Sequence, residues 1–277
     1  MDSLGMINKK TRQAYNLAAR KYHDLFHDEM REKEYDRRIL DSFSRRFNKT
    51  SLVCDAGCGP SGHIGRYVFE KGIQVIGVDI SDKCVEMARH HNPQMRFERG
   101  DIGNLAFDDR SFDGIISYYS IINTPRKYVG RLFREFHRVL KRYGSLLVAV
   151  KSGTTEGYLD DLLGIKTEIY MTYFTEAEIA ARFKEAGFLL EFIETRNPYD
   201  FEIATERVFA IGQKELRPGG AGPDAGVISP SDAASPTTAP SRRSSGWKNP
   251  NDPCTFGFGP GTSRPGREPL AKAPQSP

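Results

Sequence analysis

The feature that most constrains this chain is a run of short apolar segments alternating with helical ones between Ser51 and Lys151. SLVCDA is a strand and HIGRYVFEK a helix; IQVIGVD and DKCVEMARHH repeat the pair. MRFERGD, FDGIISYY and GSLLVAVK follow as further strands. A helix over Arg126–Arg142 separates the last two, with Thr124 as its expected N-cap and Pro125 at the first helical position. Nearly continuous apolar strands joined by helices of this length predict an α/β protein whose parallel sheet is covered on both faces. Thr175 and Glu178 then form a capping box for a helix that stops at Gly187, and FLLEFIETR and ERVFAIGQK supply two extended runs. The expected order is five strand–helix units and two terminal strands. Helices over Asn8–His27 and Glu32–Phe47 precede them.

The segment Val53–Gly62 (VCDAGCGPSG) lies between the first strand and its helix, where glycines turn sharply and let a ligand approach the backbone. Asp79 ends the second strand 22 residues after Gly57, a position from which a carboxylate accepts hydrogen bonds from ribose hydroxyls. Loop and acid together predict an adenosine-containing ligand at the carboxyl ends of the strands. Gly57, Gly59 and Gly62 also spell G-x-G-x-x-G, so an NAD(P)-dependent oxidoreductase is the alternative. Three features weigh against it. Asp55 stands where a dinucleotide fold usually has an apolar residue, and its charge suits a cationic ligand. Asp101, after the third strand, is placed to accept from an adenine amino group. The chain then closes with two adjacent strands where a dehydrogenase needs a substrate domain.

The segments DAGCG (Asp55–Gly59), Val78-Asp79, Gly100-Asp101 and FDGIIS (Phe112–Ser117) resemble, in order and spacing, the motifs of class I S-adenosylmethionine-dependent methyltransferases. Tyr15–Phe26 resembles their N-terminal helix, and FTEAEI with Ala186-Gly187-Phe188 resembles the helix and turn before their final strands. The resemblance covers Thr11 to Gln213. It implies a Rossmann-like seven-stranded sheet, mostly parallel with an antiparallel last strand, and S-adenosyl-L-methionine as cofactor. It also implies that Asp55, Gly57 and Gly59 line the methionine end, Asp79 holds the ribose, Asp101 and Ile102 the adenine, and Ile80 belongs to the cofactor site. Ser117 and Tyr118 would sit near the sulfonium, while Tyr15 and Tyr22 cover the cofactor. Ser61 departs from the pattern by standing between the loop proline and Gly62.

Methyl transfer from a sulfonium needs donor and acceptor held in contact, and a base only where the acceptor must lose a proton. The candidates for that role are His23 and His27, one helical turn apart, and Tyr118 and Tyr119 after the fourth strand. Asn123 and the segment Ser152–Tyr173, in the position of a substrate lid, are further candidates for the acceptor pocket. Ser117-Tyr118-Tyr119-Ser120 replaces the Asn/Asp-Pro-Pro-Tyr typical of enzymes that methylate amide or adenine nitrogens, which leaves a small-molecule acceptor methylated at O, N or C, with a protein side chain as the weaker option. A non-catalytic cofactor-binding partner protein is the remaining alternative.

Composition changes after Leu216. Residues 217–277 hold 12 of the 16 prolines, with glycine and serine between them, and predict a disordered tail behind a domain of residues 1–216 whose first 48 residues form a helical cap. The tail carries +3 of the net charge of +4, so the domain is nearly neutral and no nucleic-acid partner is expected. Cys54 and Cys58 form no CxxC pair and His23 and His27 lack a third ligand, so no metal centre is expected. Cysteine usage and the absence of an apolar run of membrane length point to the cytoplasm and to no membrane association.

Overall fold

A computed structural model describes residues 2–215. The expected tail, 217–277, lies outside the described residues. Helix α1 spans Leu4–Phe26 and α2 spans Glu34–Ser44, joined by a short 3-10 turn at Glu29–Arg31. The alternation follows as β1 (Leu52–Ala56), α3 (His63–Phe69), β2 (Gln74–Asp79), α4 (Asp82–His91), β3 (Arg96–Arg99), β4 (Phe112–Tyr118), α5 (Arg126–Val139) and β5 (Leu140–Lys151). A hairpin of β6 (Glu156–Leu162) and β7 (Ile165–Thr172), then α6 (Glu176–Ala186), β8 (Phe188–Arg196) and β9 (Arg207–Lys214), complete the described residues.

The main sheet has seven strands in the order β3-β2-β1-β4-β5-β9-β8. Strands β1 to β5 pair in parallel, whereas β9 runs antiparallel to both β5 and β8 and fills the space between them. The expected mostly parallel sheet with an antiparallel last strand is therefore present. Successive residues of one strand serve opposite layers, because side chains alternate across a sheet. Ile115 and Leu146 pack with Phe133 and Phe183 on the α5–α6 side, while Ile116 and Leu147 pack with Phe43 and Val68 on the α2–α3 side. The described helices include none long and apolar enough to cross a membrane.

Several local expectations are corrected. The third strand is not followed by a helix: residues 100–111 run as a loop with a single bridge between Asp101 and Asn104. Thr124 does not cap α5. Pro125 occupies that position, and the buried Thr124 instead offers its carbonyl to the Thr172 hydroxyl of β7 at 2.9 Å. The helix ends at Val139, three residues earlier than expected, because Leu140 already starts β5. Ser152–Tyr173, in the position expected of a substrate lid, is built as the two-stranded hairpin, and β7 packs against α1. The Thr175–Glu178 capping box and the stop at Gly187, in the left-handed conformation at φ +84°, form as expected.

Candidate cofactor and active site

The carboxyl edge of β1, β2 and β4 opens into a cleft roofed by α1. Gly57 and Gly59 adopt φ of +88° and +63°, which L-residues rarely tolerate. The loop is tied to the end of β2 by the Gly57 N–H, which donates to the Val78 carbonyl at 2.7 Å. A side chain on Gly57 would collide with Ser120, so this glycine lets the loop after β4 approach the loop after β1. Gly62 also has positive φ, but a side chain there would meet the Phe97 ring at 2.8 Å. Its absent Cβ serves packing of α3 against β3. Ser61 is buried, with its hydroxyl 3.0 Å from His23 Nδ1 and its carbonyl accepting from Asn92 at 2.9 Å.

Asp79 stands at the end of β2 and lines the cleft. Its carboxylate accepts from the Gly59 N–H at 2.9 Å and the Ser81 N–H at 2.8 Å. Burial pushes its carboxyl up to about 6, although these backbone donors pull the other way. Asp101, Ile102 and Gly103 form the wall beyond it, with the Gly103 N–H on Asp101 Oδ1 at 2.8 Å. Ile80 also lines the cleft. Tyr15 and Tyr22 descend from α1 with ring centroids 6.1 Å apart, and the Tyr15 hydroxyl donates to Asn123 Oδ1 at 3.1 Å. Burial raises both phenols, so they stay protonated.

Tyr118, Tyr119, Ser120 and Asn123 form the opposite wall. The Tyr118 hydroxyl donates to the buried Asp36. Tyr119 sits at φ +55°, a strained conformation for an aromatic residue, fixed by its N–H donating to the Ala149 carbonyl at 2.8 Å. Its hydroxyl is buried without a hydrogen-bond partner.

Four of the residues read from the sequence stand away from the cleft wall. Asp55 is fully buried and accepts the Gly65 N–H of α3 at 2.9 Å; burial pushes its carboxyl up to about 7, with Asp79 adding to the effect. Ser117 is buried and shares a hydrogen bond of 2.7 Å with Ser120, the residue that reaches the cleft. His23 and His27 lie outside it as well. His23 is stacked between His91 and His27, with ring centroids 3.8 and 4.9 Å away, and burial beside these imidazoles lowers it to about 4. Among the described residues, no group of three or more His, Cys, Asp or Glu side chains is placed to hold a metal ion.

Sequence reasoning missed Asn8 and Thr11, which line the cleft from α1. The signal was their spacing: with Tyr15 they fall at i, i+3 and i+7, on one face of a helix. The cleft fits an adenosyl ligand on two grounds. Positive-φ glycines expose backbone beside a carboxylate with acceptor capacity to spare, and the Thr11 hydroxyl is buried there without a partner.

A family model described as a methyltransferase domain matches residues 54–148. The chain is 31% identical over 115 residues to 24-methylenesterol C-methyltransferase 3 of Arabidopsis thaliana, covering 39% of this chain and 31% of that protein. It is 36% identical over 98 residues to a demethylmenaquinone methyltransferase of Thermotoga maritima, covering 35% and 42%. The match thus spans less than half the length of either relative. Among solved structures, 1,6-didemethyltoxoflavin-N1-methyltransferase of Burkholderia thailandensis, with 1,6-didemethyltoxoflavin and S-adenosylhomocysteine bound, superposes with a TM-score of 0.62 at 18% identity. That likeness covers 77% of this chain and 91% of that one, and shows the fold. The family match falls on the segment that builds the glycine loop, Asp79, Asp101 and the wall after β4, so residues 54–148 are similar to a methyltransferase domain and the described fold is that of S-adenosylmethionine-dependent methyltransferases.

Proposed function

We propose that this chain transfers the methyl group of S-adenosylmethionine to an O, N or C atom of a small-molecule acceptor. The observation that carries this reading is the convergence of Gly57, Gly59, Asp79 and Asp101 on one cleft at the carboxyl edge of the sheet. Bound there, S-adenosylmethionine supplies an electrophilic sulfonium methyl group. Asp79, with Ile80 beside it, accepts hydrogen bonds from the ribose hydroxyls, and Asp101 and Ile102 flank the adenine. Tyr15 and Tyr22 exclude water from above. Asp55 serves from behind by holding the start of α3 against the glycine loop, and Ser117 does so by orienting Ser120.

The acceptor lies against Tyr118, Tyr119, Ser120 and Asn123, and the protein contributes mainly by holding it in line with the methyl group. The relatives named for a sterol and for demethylmenaquinone, and the solved enzyme with bound 1,6-didemethyltoxoflavin, support an acceptor of small-molecule class. Residues 1–216 act as one methyltransferase domain, with the first 48 as its cap, and cysteine usage supports a cytoplasmic location.

Calorimetry with S-adenosylhomocysteine and NAD in parallel tests the class. Binding of the first alone is expected; binding of NAD alone overturns the proposal in favour of an oxidoreductase. Labelled methyl transfer across a panel of small acceptors then separates an enzyme from a non-catalytic partner protein.

A further inference from the structure

The first turns of α1 carry a polar face that no motif accounts for. Asn8 and Thr11 line the cleft at the end formed by Asp101, Ile102 and Gly103. Asn8 Nδ2 donates to Asp101 Oδ2 at 2.8 Å. A carboxylate attracts the amide nitrogen and repels the amide oxygen, so this contact fixes the side chain's orientation. Asn8 Oδ1 is left as an acceptor with no partner among the described residues. The Thr11 residue is 8% exposed, and its hydroxyl is buried without a hydrogen bond, an arrangement that is unfavourable unless something binds there.

These groups are held in place. The Arg12 Nε donates to Asp82 of α4 at 2.7 Å, and Asn16 Oδ1 accepts the Ser81 hydroxyl at 2.6 Å. The amino end of the helix is capped by Ser3, whose hydroxyl accepts the Met6 N–H at 3.3 Å. Its polar face is thereby presented to the cleft in a fixed register.

We infer that Asn8 and Thr11 read the nucleobase edge of the cofactor together with Asp101, so that the cleft selects a 6-aminopurine over a 6-oxopurine. This rests on the proposed cofactor reading of the same cleft. An exocyclic amine has two N–H donors, and Asn8 Oδ1 and Asp101 Oδ2 are neighbouring acceptors. The Thr11 hydroxyl can donate to N1, which is an acceptor in a 6-aminopurine but carries a proton in a 6-oxopurine. A 6-oxo group would set an acceptor against these two half-buried oxygens, and a site that hydrogen-bonds an amine disfavours a ligand that leaves its acceptors unpaired.

Calorimetry of the full chain with S-adenosylhomocysteine and S-inosylhomocysteine, for the wild type, Asn8→Leu and Thr11→Val, tests this. The wild type is expected to prefer the adenosyl ligand by at least ~30-fold. Each variant should lose about 3–10-fold in adenosyl affinity while S-inosylhomocysteine binding stays nearly constant, so the ratio falls. An equal loss for both ligands makes the two residues mere anchors of α1 and overturns the inference, as do unchanged variants or a wild type blind to the 6-position. A wild type that binds neither ligand refutes the cofactor reading itself. Should Asn8→Leu fail to fold by circular dichroism, the shape-conserving Thr11→Val decides alone.

Discussion

Asp79 combines burial with two backbone donors, and its carboxyl rests at about 6, where a modest pH change alters its charge. An ionised carboxylate accepts from hydroxyls, and protonation removes that capacity. Affinity for S-adenosylhomocysteine should therefore fall as pH drops through about 6, as followed by calorimetry. Asp79→Ala should weaken binding by roughly 2–4 kcal/mol, the value of two charge-assisted hydrogen bonds partly offset by water, and Asp79→Asn by less. Unchanged affinity in a folded Asp79→Ala protein would refute the ribose assignment. His23 and His27 present the opposite case: both stand off the cleft, and His23 is lowered to about 4 within its imidazole stack. Replacing both by Gln should reduce turnover by less than the ~100-fold expected on losing a general base. A greater loss with cofactor affinity intact would make one of them catalytic.

At the scale of elements, α6 and the β6–β7 hairpin show how local chemistry and tertiary context divide the work. Thr175 accepts the Glu178 N–H at 3.2 Å while Glu178 accepts the Thr175 N–H at 2.8 Å, so two otherwise unpaired helix groups are satisfied reciprocally. Thr175→Ala should cost about 1 kcal/mol in urea unfolding, and a neutral result would show that packing alone holds the start of the helix. The hairpin turns through Leu163 and Gly164, both at positive φ, 57° and 79°. Such a two-residue turn suits the twist of the strands, but leucine pays for its Cβ there. Leu163→Asn should raise stability by roughly 0.5–1 kcal/mol, measured as a higher Tm, because asparagine tolerates the left-handed region.

Across the whole molecule, a buried ionic cluster joins the N-terminal cap to the loop between β8 and β9. Glu202 receives Lys33 at 2.7 Å, Arg196 at 2.7 and 3.0 Å, and Arg207 at 3.5 Å. Arg196 continues to Asp36 at 2.8 Å, and Asp36 in turn accepts the Tyr118 hydroxyl on the cleft wall. Glu202→Gln takes a shared anion from Lys33, Arg196 and Arg207, of which Lys33 keeps Glu29 and Arg196 keeps Asp36, and should destabilise the fold by about 3 kcal/mol in urea titration. Burial alone would raise the Glu202 carboxyl, but Arg196 and Lys33 overcome this and hold it at about 2. Its folded value thus lies below the ordinary 4.5, so its contribution is complete above pH 4.5 and is lost as pH falls toward 2. Flat stability across that window in the wild type, with loss only in other ranges, would remove Glu202 from the account.

The sequence by itself determined the layered α/β architecture, the glycines and acids that line one edge of the cleft and the capping of α6. These depend on apolar periodicity and on residues close together in the chain: Gly57 and Gly59 in one turn, Asp79 at the end of the next strand, Thr175 three residues before Glu178. The tertiary structure decided what depends on partners far apart in sequence. It turned Asp55 toward Gly65 and Ser117 toward Ser120, and it folded residues 156–172 into a hairpin whose charged, exposed β6 shows little apolar alternation. It took Thr124 from its expected cap by pairing it with Thr172, 48 residues away. It also brought Asn8 to Asp101 across 93 residues and gathered Lys33, Asp36, Arg196 and Glu202 into one cluster. A hydrogen bond or ion pair is short-ranged and directional, so its partners become visible only once packing has placed the elements that carry them.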